Sequence, residues 1–248
     1  MTDDEPDVEW AREWKLRAIA PPVAFAIAIA FRASPLGHQL QRTFLTMMTH
    51  ELGHAICAWW CGFTALPTLW KTMIPETRGL AIVLVAALEA TAIYVGVRAE
   101  RRSLVAIGVA LAALQLAGTV AASPERAHAT IIFAGDGGAM VLGTLLAAAF
   151  AWPPARRGAL RWGLLVIGAA AFVDVFGTWW TARTDPDVIP FGEIEGVGLS
   201  DPSQLTETLG WSTHAMVARY VALGVACLVA LAAVYAAGVY TARKRARS

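Results

Sequence analysis

The chain is a succession of long apolar runs separated by shorter polar connections. The apolar runs cover residues 16–31, 40–63, 79–97, 103–122, 131–152, 158–180 and 214–240. A helix needs about 20 mainly apolar residues to cross the hydrocarbon of a bilayer, and every run except the first is close to that length or longer. Pro21 and Pro22 interrupt the first run, which is therefore a doubtful span. The pattern predicts an all-α, polytopic integral membrane protein with six to seven transmembrane helices, of which residues 40–63 form the second.

Composition supports a membrane protein. Of the 248 residues, 57% are hydrophobic and 16% are charged, whereas soluble domains carry about 25% charged residues. The net charge of +1 gives no reason to expect a nucleic-acid partner. We divide the chain into an acidic and interfacial segment at 1–17, a single transmembrane domain at 18–240 with a long acidic loop at 181–213, and a basic tail at 241–248.

Lysine and arginine predict the orientation, because cytoplasmic loops are enriched in both. The tail contains Arg243, Lys244, Arg245 and Arg247, so we expect a cytoplasmic C-terminus in a plasma (inner) membrane. Counting back from the cytoplasmic tail and changing side at each predicted span places Arg161 in the cytoplasm. It also places the start of the second run there and, if the first run spans, Arg17 outside.

The second run contains the sequence His50-Glu51-Leu52-Gly53-His54. Histidines four residues apart lie on one face of a helix, so both imidazoles can bind one metal ion. Glu51 can then act as general base on a water that the ion activates. Ionisable groups are expensive inside a bilayer and are functional by default. The competing interpretation is a polar pair that hydrogen-bonds a neighbouring helix.

A catalytic zinc site needs about three protein ligands and an open position for water. Asp136 is the main candidate for the third ligand, because Gly135, Gly137 and Gly138 around it allow close approach of a metal or of another helix. The alternative is a glycine-rich helix contact with a capping aspartate. Three further ionisable residues lie in or beside apolar runs: Glu89, Asp174 and His214.

These three residues have competing interpretations. Asp174 can orient a ligand histidine from behind the metal or can cap a helix at the membrane interface. Glu89 can pair with a polar group across a helix interface, or can be the third ligand of a different membrane zincin. His214 opens the last run beside Trp211, a position more typical of an interfacial residue than of a ligand.

Together, the two motifs resemble those of the site-2 protease family of intramembrane zinc metalloproteases. In that family an HExxH sequence in one transmembrane helix is combined with an aspartate in a later helix, in an LDGG-like setting. His50, Glu51 and His54 match the first motif, and Asp136 with the two glycines after it resembles the second. Gly135 stands where the family has leucine. The resemblance implies a Zn²⁺ cofactor held by His50, His54 and Asp136, with Glu51 as catalytic base.

The functional prediction is therefore a zinc-dependent endopeptidase that cleaves membrane-anchored proteins within the bilayer. One alternative is a non-catalytic metal-binding relative, in which Asp174 or His214 would close the metal site. The other is a transporter or helix-packing protein with polar intramembrane residues. The loop at 66–78 can assist a substrate that must unwind. The acidic loop is either a lid over the site or a solvated connector.

Overall fold

The computed structural model describes residues 5–151, 158–194 and 198–247. Within these ranges the chain is almost entirely helical, which confirms the all-α prediction. The helices are α1 (Glu5–Arg32), α2 (Pro35–Gln41), α3 (Met47–Trp60), α4 (Ala81–Arg98), α5 (Arg102–Leu116), α6 (Pro124–Ala148), α7 (Leu160–Thr181), α8 (Asp201–Ser203) and α9 (Thr213–Arg245). Four two-residue strands form two hairpins: β1 (Leu66–Pro67) with β2 (Thr72–Met73), and β3 (Glu193–Ile194) with β4 (Gly198–Leu199).

Six helices in the described part of the chain are long and apolar enough to cross a membrane, so the protein is a polytopic membrane protein. The doubtful first run is one of the six, as residues Arg12–Arg32. The helix that contains the HExxH sequence is not among them. The motif lies in α3, which has 14 residues. A π-helical segment, Arg42–Thr46, joins α3 to α2, so the helical stretch runs over 35–60. Polar residues such as His50 and Glu51 reduce the apolar character of this stretch.

Helix α1 continues through Pro21 and Pro22. Proline has no N–H, so Pro22 cannot donate to the carbonyl of Ala18 one turn earlier. The hydroxyl of Tyr235 on α9 donates to that carbonyl instead, at 2.8 Å. In hydrocarbon a freed backbone carbonyl needs such a partner, so α9 allows α1 to remain a helix.

The chain forms two compact units. The first consists of residues 1–49, 139–190 and 212–248, and the second of residues 50–138 and 191–211. Within the first unit, α7 packs against the end of α6 through Gly143 and Gly168. A Cβ on Gly168 would lie 2.6 Å from the carbonyl oxygen of Gly143. Small residues of this kind allow membrane helices to approach closely.

The predicted side of the N-terminal segment is corrected by contacts within the first unit. Arg17 and Arg161 were placed on opposite sides of the membrane, yet both bind the carboxylate of Glu13, at 2.8 and 3.1 Å. The guanidinium of Arg243 also lies over the ring of Trp14. The two ends of the chain therefore lie on the same side. Six spans bring the chain back to the side on which it started. The prediction placed the N-terminal segment on the other side because it counted seven spans, with the motif helix among them.

Within the second unit, α4 and α5 form a close antiparallel pair. A Cβ on Gly96 would lie 2.9 Å from Val105, and a Cβ on Gly108 would lie 2.6 Å from the side chain of Ile93, so both glycines allow the two helices to approach closely. Hairpin β1–β2 follows α3, and hairpin β3–β4 precedes α8. The remaining contacts of this unit bring α3, α6 and α8 together around the two motif histidines.

Candidate metal centre

Two glycines set the separation of α3 and α6. A Cβ on Gly53 would overlap the carbonyl oxygen of Ala134, and a Cβ on Gly138 would overlap the Cα of Gly53. The helix backbones are therefore in contact at this point, which small residues allow. Because Gly53 lies between His50 and His54, this contact holds both imidazoles against α6.

Each motif histidine forms a hydrogen bond through its Nδ1 atom. His54 Nδ1 donates to the backbone carbonyl of Ile131 at 2.8 Å. His50 Nδ1 lies 2.9 Å from Oδ1 of Asp136, and an ionised carboxylate can only accept, so His50 donates. Such bonds fix the tautomer of an imidazole and leave Nε2 as the atom with a lone pair.

The two Nε2 atoms meet a carboxylate oxygen from α8. They lie 3.1 Å apart, and Oδ2 of Asp201 is 3.1 Å from Nε2 of His50 and 3.0 Å from Nε2 of His54. Oδ2 is buried and has no hydrogen-bond donor of ordinary geometry. Three acceptor atoms converge when both rings are neutral, so a positive charge is needed between them, and either a metal ion or a proton on an imidazole can supply it. Burial lowers the pKa of His50, but its contacts with Asp136 and Asp201 outweigh burial and raise it to about 10, so without a metal this imidazole is protonated.

The donor set fits a divalent transition metal. His50, His54 and Asp201 form the group of described residues that can hold a metal ion. Two ligands about 2.0–2.1 Å from a tetrahedral zinc lie about 3.3 Å apart, close to the separations found here. The backbone of α6 also lies against these atoms at Gly135, since a Cβ there would lie 2.5 Å from Nε2 of His54 and 2.6 Å from Oδ2 of Asp201. The absence of a side chain at position 135 allows the helix backbone to approach the cluster this closely.

Local structure in the loop before α9 places Asp201 at the cluster. Ser200 is the N-cap of α8, and its hydroxyl accepts from the backbone N–H of Ser203 at 3.4 Å. The Ser203 hydroxyl accepts from the N–H of Gly192 at 2.9 Å, which ties this turn to hairpin β3–β4. Burial raises the pKa of Asp201, but the imidazoles of His54 and His50 lower it more. The net pKa is below its ordinary range, so the carboxylate is in the ionised form that binds metals.

Glu51, the predicted base, follows His50 directly and is 4% exposed. Its Oε2 atom accepts from the hydroxyl of Thr72 on strand β2 at 2.7 Å, and the same hydroxyl lies 2.8 Å from the backbone oxygen of Glu51. Hairpin β1–β2 thus fixes the orientation of this carboxylate. The expectation that the loop at 66–78 assists an unwinding substrate stays a prediction.

Asp136 occupies a different position from that predicted by the resemblance. It is buried at the cluster, but its Oδ1 atom contacts Nδ1 of His50, the nitrogen that faces away from Asp201. The carboxylate therefore contacts the Nδ1 side of a candidate ligand histidine, whereas Asp201 lies beside the two Nε2 atoms. Glu89 is also buried and accepts from the indole N–H of Trp60 at 3.1 Å, in line with a polar pair across a helix interface.

The other two candidates lie outside the cluster. Asp174 is fully buried in the first unit, where its carboxylate contacts Nε2 of His38 at 2.8 Å and a guanidinium nitrogen of Arg42 at 3.4 Å. His214 is exposed in the first turn of α9. Neither belongs to the metal-binding group found among the described residues.

Sequence reasoning included Asp201 only as one of several acids in the long loop. The available signal was local: Ser200-Asp201-Pro202 is an N-cap followed by proline, which marks the start of a helical turn. An ordered turn in an acidic loop is a reason to expect a packed position rather than a solvated one. Nothing in the spacing, however, indicates which helix that turn contacts.

Comparisons of the chain with protein-family models, with curated proteins and with solved structures find no match.

Proposed function

We propose that the protein is a zinc-dependent peptidase of the membrane, with His50, His54 and Asp201 as the metal ligands. The observation that carries the proposal is the convergence of two imidazole Nε2 atoms and one buried carboxylate oxygen within 3.1 Å of one another. Two histidines and one carboxylate with an open position are the ligands of many catalytic zinc sites. A zinc ion there would polarise a carbonyl and acidify a water molecule.

The polar side chains around the cluster then either orient the ligand histidines or act on the water molecule. Asp136 holds the Nδ1 proton of His50, and the carbonyl of Ile131 holds that of His54, so both Nε2 atoms remain available. Glu51 takes a proton from the attacking water at a carboxylate oxygen and gives it to the leaving nitrogen. The hydroxyl of Thr72 donates to that carboxylate and limits its rotation.

The apolar surroundings support a membrane-anchored protein as the substrate. A helical substrate hides its carbonyls in hydrogen bonds, so a segment must unwind before its peptide bond can be attacked. Hairpin β1–β2 lies next to Glu51 through Thr72, and an extended segment can be held by hydrogen bonds to a strand. This places the unwound part of a substrate beside the base.

A metal site with a structural purpose is the competing function. Such a site fills its fourth position with protein. The described residues provide three ligands. Three protein ligands leave the fourth position of a tetrahedral zinc to water, which supports catalysis over a structural site.

Substitution of Glu51 by Gln tests the proposal. The protein is reconstituted in liposomes with a single-span membrane protein as probe substrate, and cleavage and zinc content are measured together. We expect zinc to remain at the wild-type level and cleavage to fall by at least about 1,000-fold, because glutamine cannot accept a proton. Glu207→Gln, on an exposed side chain of the acidic loop, is the matched control. Cleavage unchanged by Glu51→Gln would overturn the assignment of a zinc peptidase.

A further inference from the structure

The first unit contains a buried group of charges with more positive than negative members. Glu13, Arg17 and Arg161 are 4–6% exposed. Arg17 donates from Nε to Glu13 at 2.8 Å, and Arg161 donates from one nitrogen to both oxygens of the same carboxylate at 3.1 Å. Among the side chains that the structure describes, one carboxylate is therefore paired with two guanidinium groups. Buried charges are costly unless they are paired, so this group has a place for an anion.

One nitrogen of Arg17 lacks a partner among the side chains that the structure describes. Its Nη1 donates weakly to the carbonyl of Gly238 at 3.4 Å, whereas Nη2 is buried and has no hydrogen-bond partner among them. An unsatisfied guanidinium nitrogen is among the more expensive buried groups. Planar guanidinium groups bind phosphate and carboxylate oxygens well.

Arg17 also lines an apolar groove of about 290 Å³ between α1, the end of α6 and α9. The groove is lined almost entirely by apolar side chains, including Phe25, Phe150 and Leu231. It extends along α9 from Leu228 to Val239, a length of about 16 Å. Trp10 and Trp14 lie near the arginines at its basic end, as aromatic residues do at membrane interfaces.

We propose that this groove binds one anionic phospholipid, with an acyl chain along α9 and the headgroup phosphate at Nη2 of Arg17. Charge complementarity selects the occupant: the groove is apolar, and the arginine at one end has a nitrogen without a partner among the described side chains, so a chain with a negative headgroup fits it. Basic pockets between transmembrane helices bind anionic headgroups in this way. This site is independent of the metal centre and does not rest on the proposed peptidase activity.

Lipid retention measured by native mass spectrometry tests the proposal. The detergent-purified full chain is equilibrated with equal amounts of phosphatidylglycerol and phosphatidylcholine of the same acyl chains. We expect one phosphatidylglycerol molecule to be retained, with at least a 10-fold preference. Arg17→Gln removes the cationic nitrogen but leaves the pairing of Arg161 with Glu13, and Ala232→Trp fills the groove. Each should reduce the preference or the retention by at least 10-fold.

Two controls separate this site from general effects. Lys15→Gln removes an exposed positive charge from the same helix as Arg17, and Ala233→Trp adds an exposed indole one residue away from the groove lining. Both should retain the lipid as the wild type does. Equal retention of the two lipids, wild-type retention in Arg17→Gln, or displacement of the lipid by inorganic phosphate alone would overturn the proposal.

Discussion

Nε2 of His54 and Oδ2 of Asp201 lie 3.0 Å apart, although the two residues come from different helices and are distant in the sequence. The other ring nitrogen of His54 already donates to the carbonyl of Ile131. Nε2 of His50 completes a triangle of potential ligand atoms. These three atoms need a positive charge among them, which a bound metal ion or a proton on an imidazole supplies.

The first prediction concerns the two aspartates near the histidines. Asp201→Asn should weaken zinc binding by more than about 100-fold, because it removes a ligand. Asp136→Asn should weaken binding by only about 10–100-fold, because Asp136 acts through the Nδ1 proton of His50. Competition with a fluorescent zinc chelator measures both affinities, with Glu207→Gln as control. The reverse order would restore Asp136 as the third ligand, as the family resemblance implies.

The second prediction concerns the hydroxyl that holds the base. Thr72→Val removes the donor to Glu51 Oε2, and the loss of one hydrogen bond to a charged group is worth about 1.5–3 kcal/mol. We expect kcat of the reconstituted enzyme to fall about 10-fold or more, with KM and zinc content unchanged. Thr91→Val, on an exposed side chain of α4, should leave kcat as it is. A change in KM alone would show that Thr72 contacts substrate instead of positioning Glu51.

The third prediction concerns the close approach of Gly135 to the candidate metal ligands. Gly135→Ala adds a methyl group within 2.6 Å of two of the three candidate ligand atoms, so zinc affinity should fall at least 10-fold. Alanine is favoured over glycine in a helix by about 0.5–1 kcal/mol, so this loss should occur without loss of helical content by circular dichroism. Gly163→Ala, at a helix position with nothing within 4 Å of the added Cβ, is the control. Wild-type zinc affinity in Gly135→Ala would show that the ion is held elsewhere.

The fourth prediction concerns the prolines of α1. Tyr235→Phe leaves the carbonyl of Ala18 without the donor that replaces the missing N–H of Pro22. The free energy of unfolding in mild detergent should decrease by about 1 kcal/mol. In a Pro22→Ala background the helix supplies its own donor, so the same substitution should cost less, which a double-mutant cycle measures. Tyr240→Phe, on a side chain 68% exposed, is the matched control.

The sequence predicts the helical membrane class because hydropathy alone decides it: an unpaired backbone in lipid is so costly that long apolar runs must be helices. It also predicts that His50 and His54 lie on one helix face, since four residues make about one turn. Both features are local. Prediction by hydropathy failed for the side of the N-terminal segment, because it included the motif run among the spans, whereas the motif helix is not one of the six that are long and apolar enough to cross a membrane.

The rest of the candidate site depends on contacts distant in sequence. Asp201 is placed beside the histidines by a turn that Ser200 and Ser203 stabilise, and no periodic pattern specifies the partner of such a turn. Asp136 was predicted to lie close to the motif helix because glycines surround it, and the structure brings the two together. Asp136 contacts Nδ1 of His50 because α3 and α6 are in contact at Gly53 and Gly138. The sequence pattern does not specify this helix separation.

Metal content is the most direct measurement of the central claim. The full chain is purified in mild detergent without added chelator, and bound zinc and iron are measured by inductively coupled plasma mass spectrometry beside His54→Ala. Iron is included because two histidines and a carboxylate also suit Fe²⁺. We expect about one zinc per chain in the wild type and none in the variant. Wild-type protein without metal, or a variant that binds as much zinc as the wild type, would contradict it.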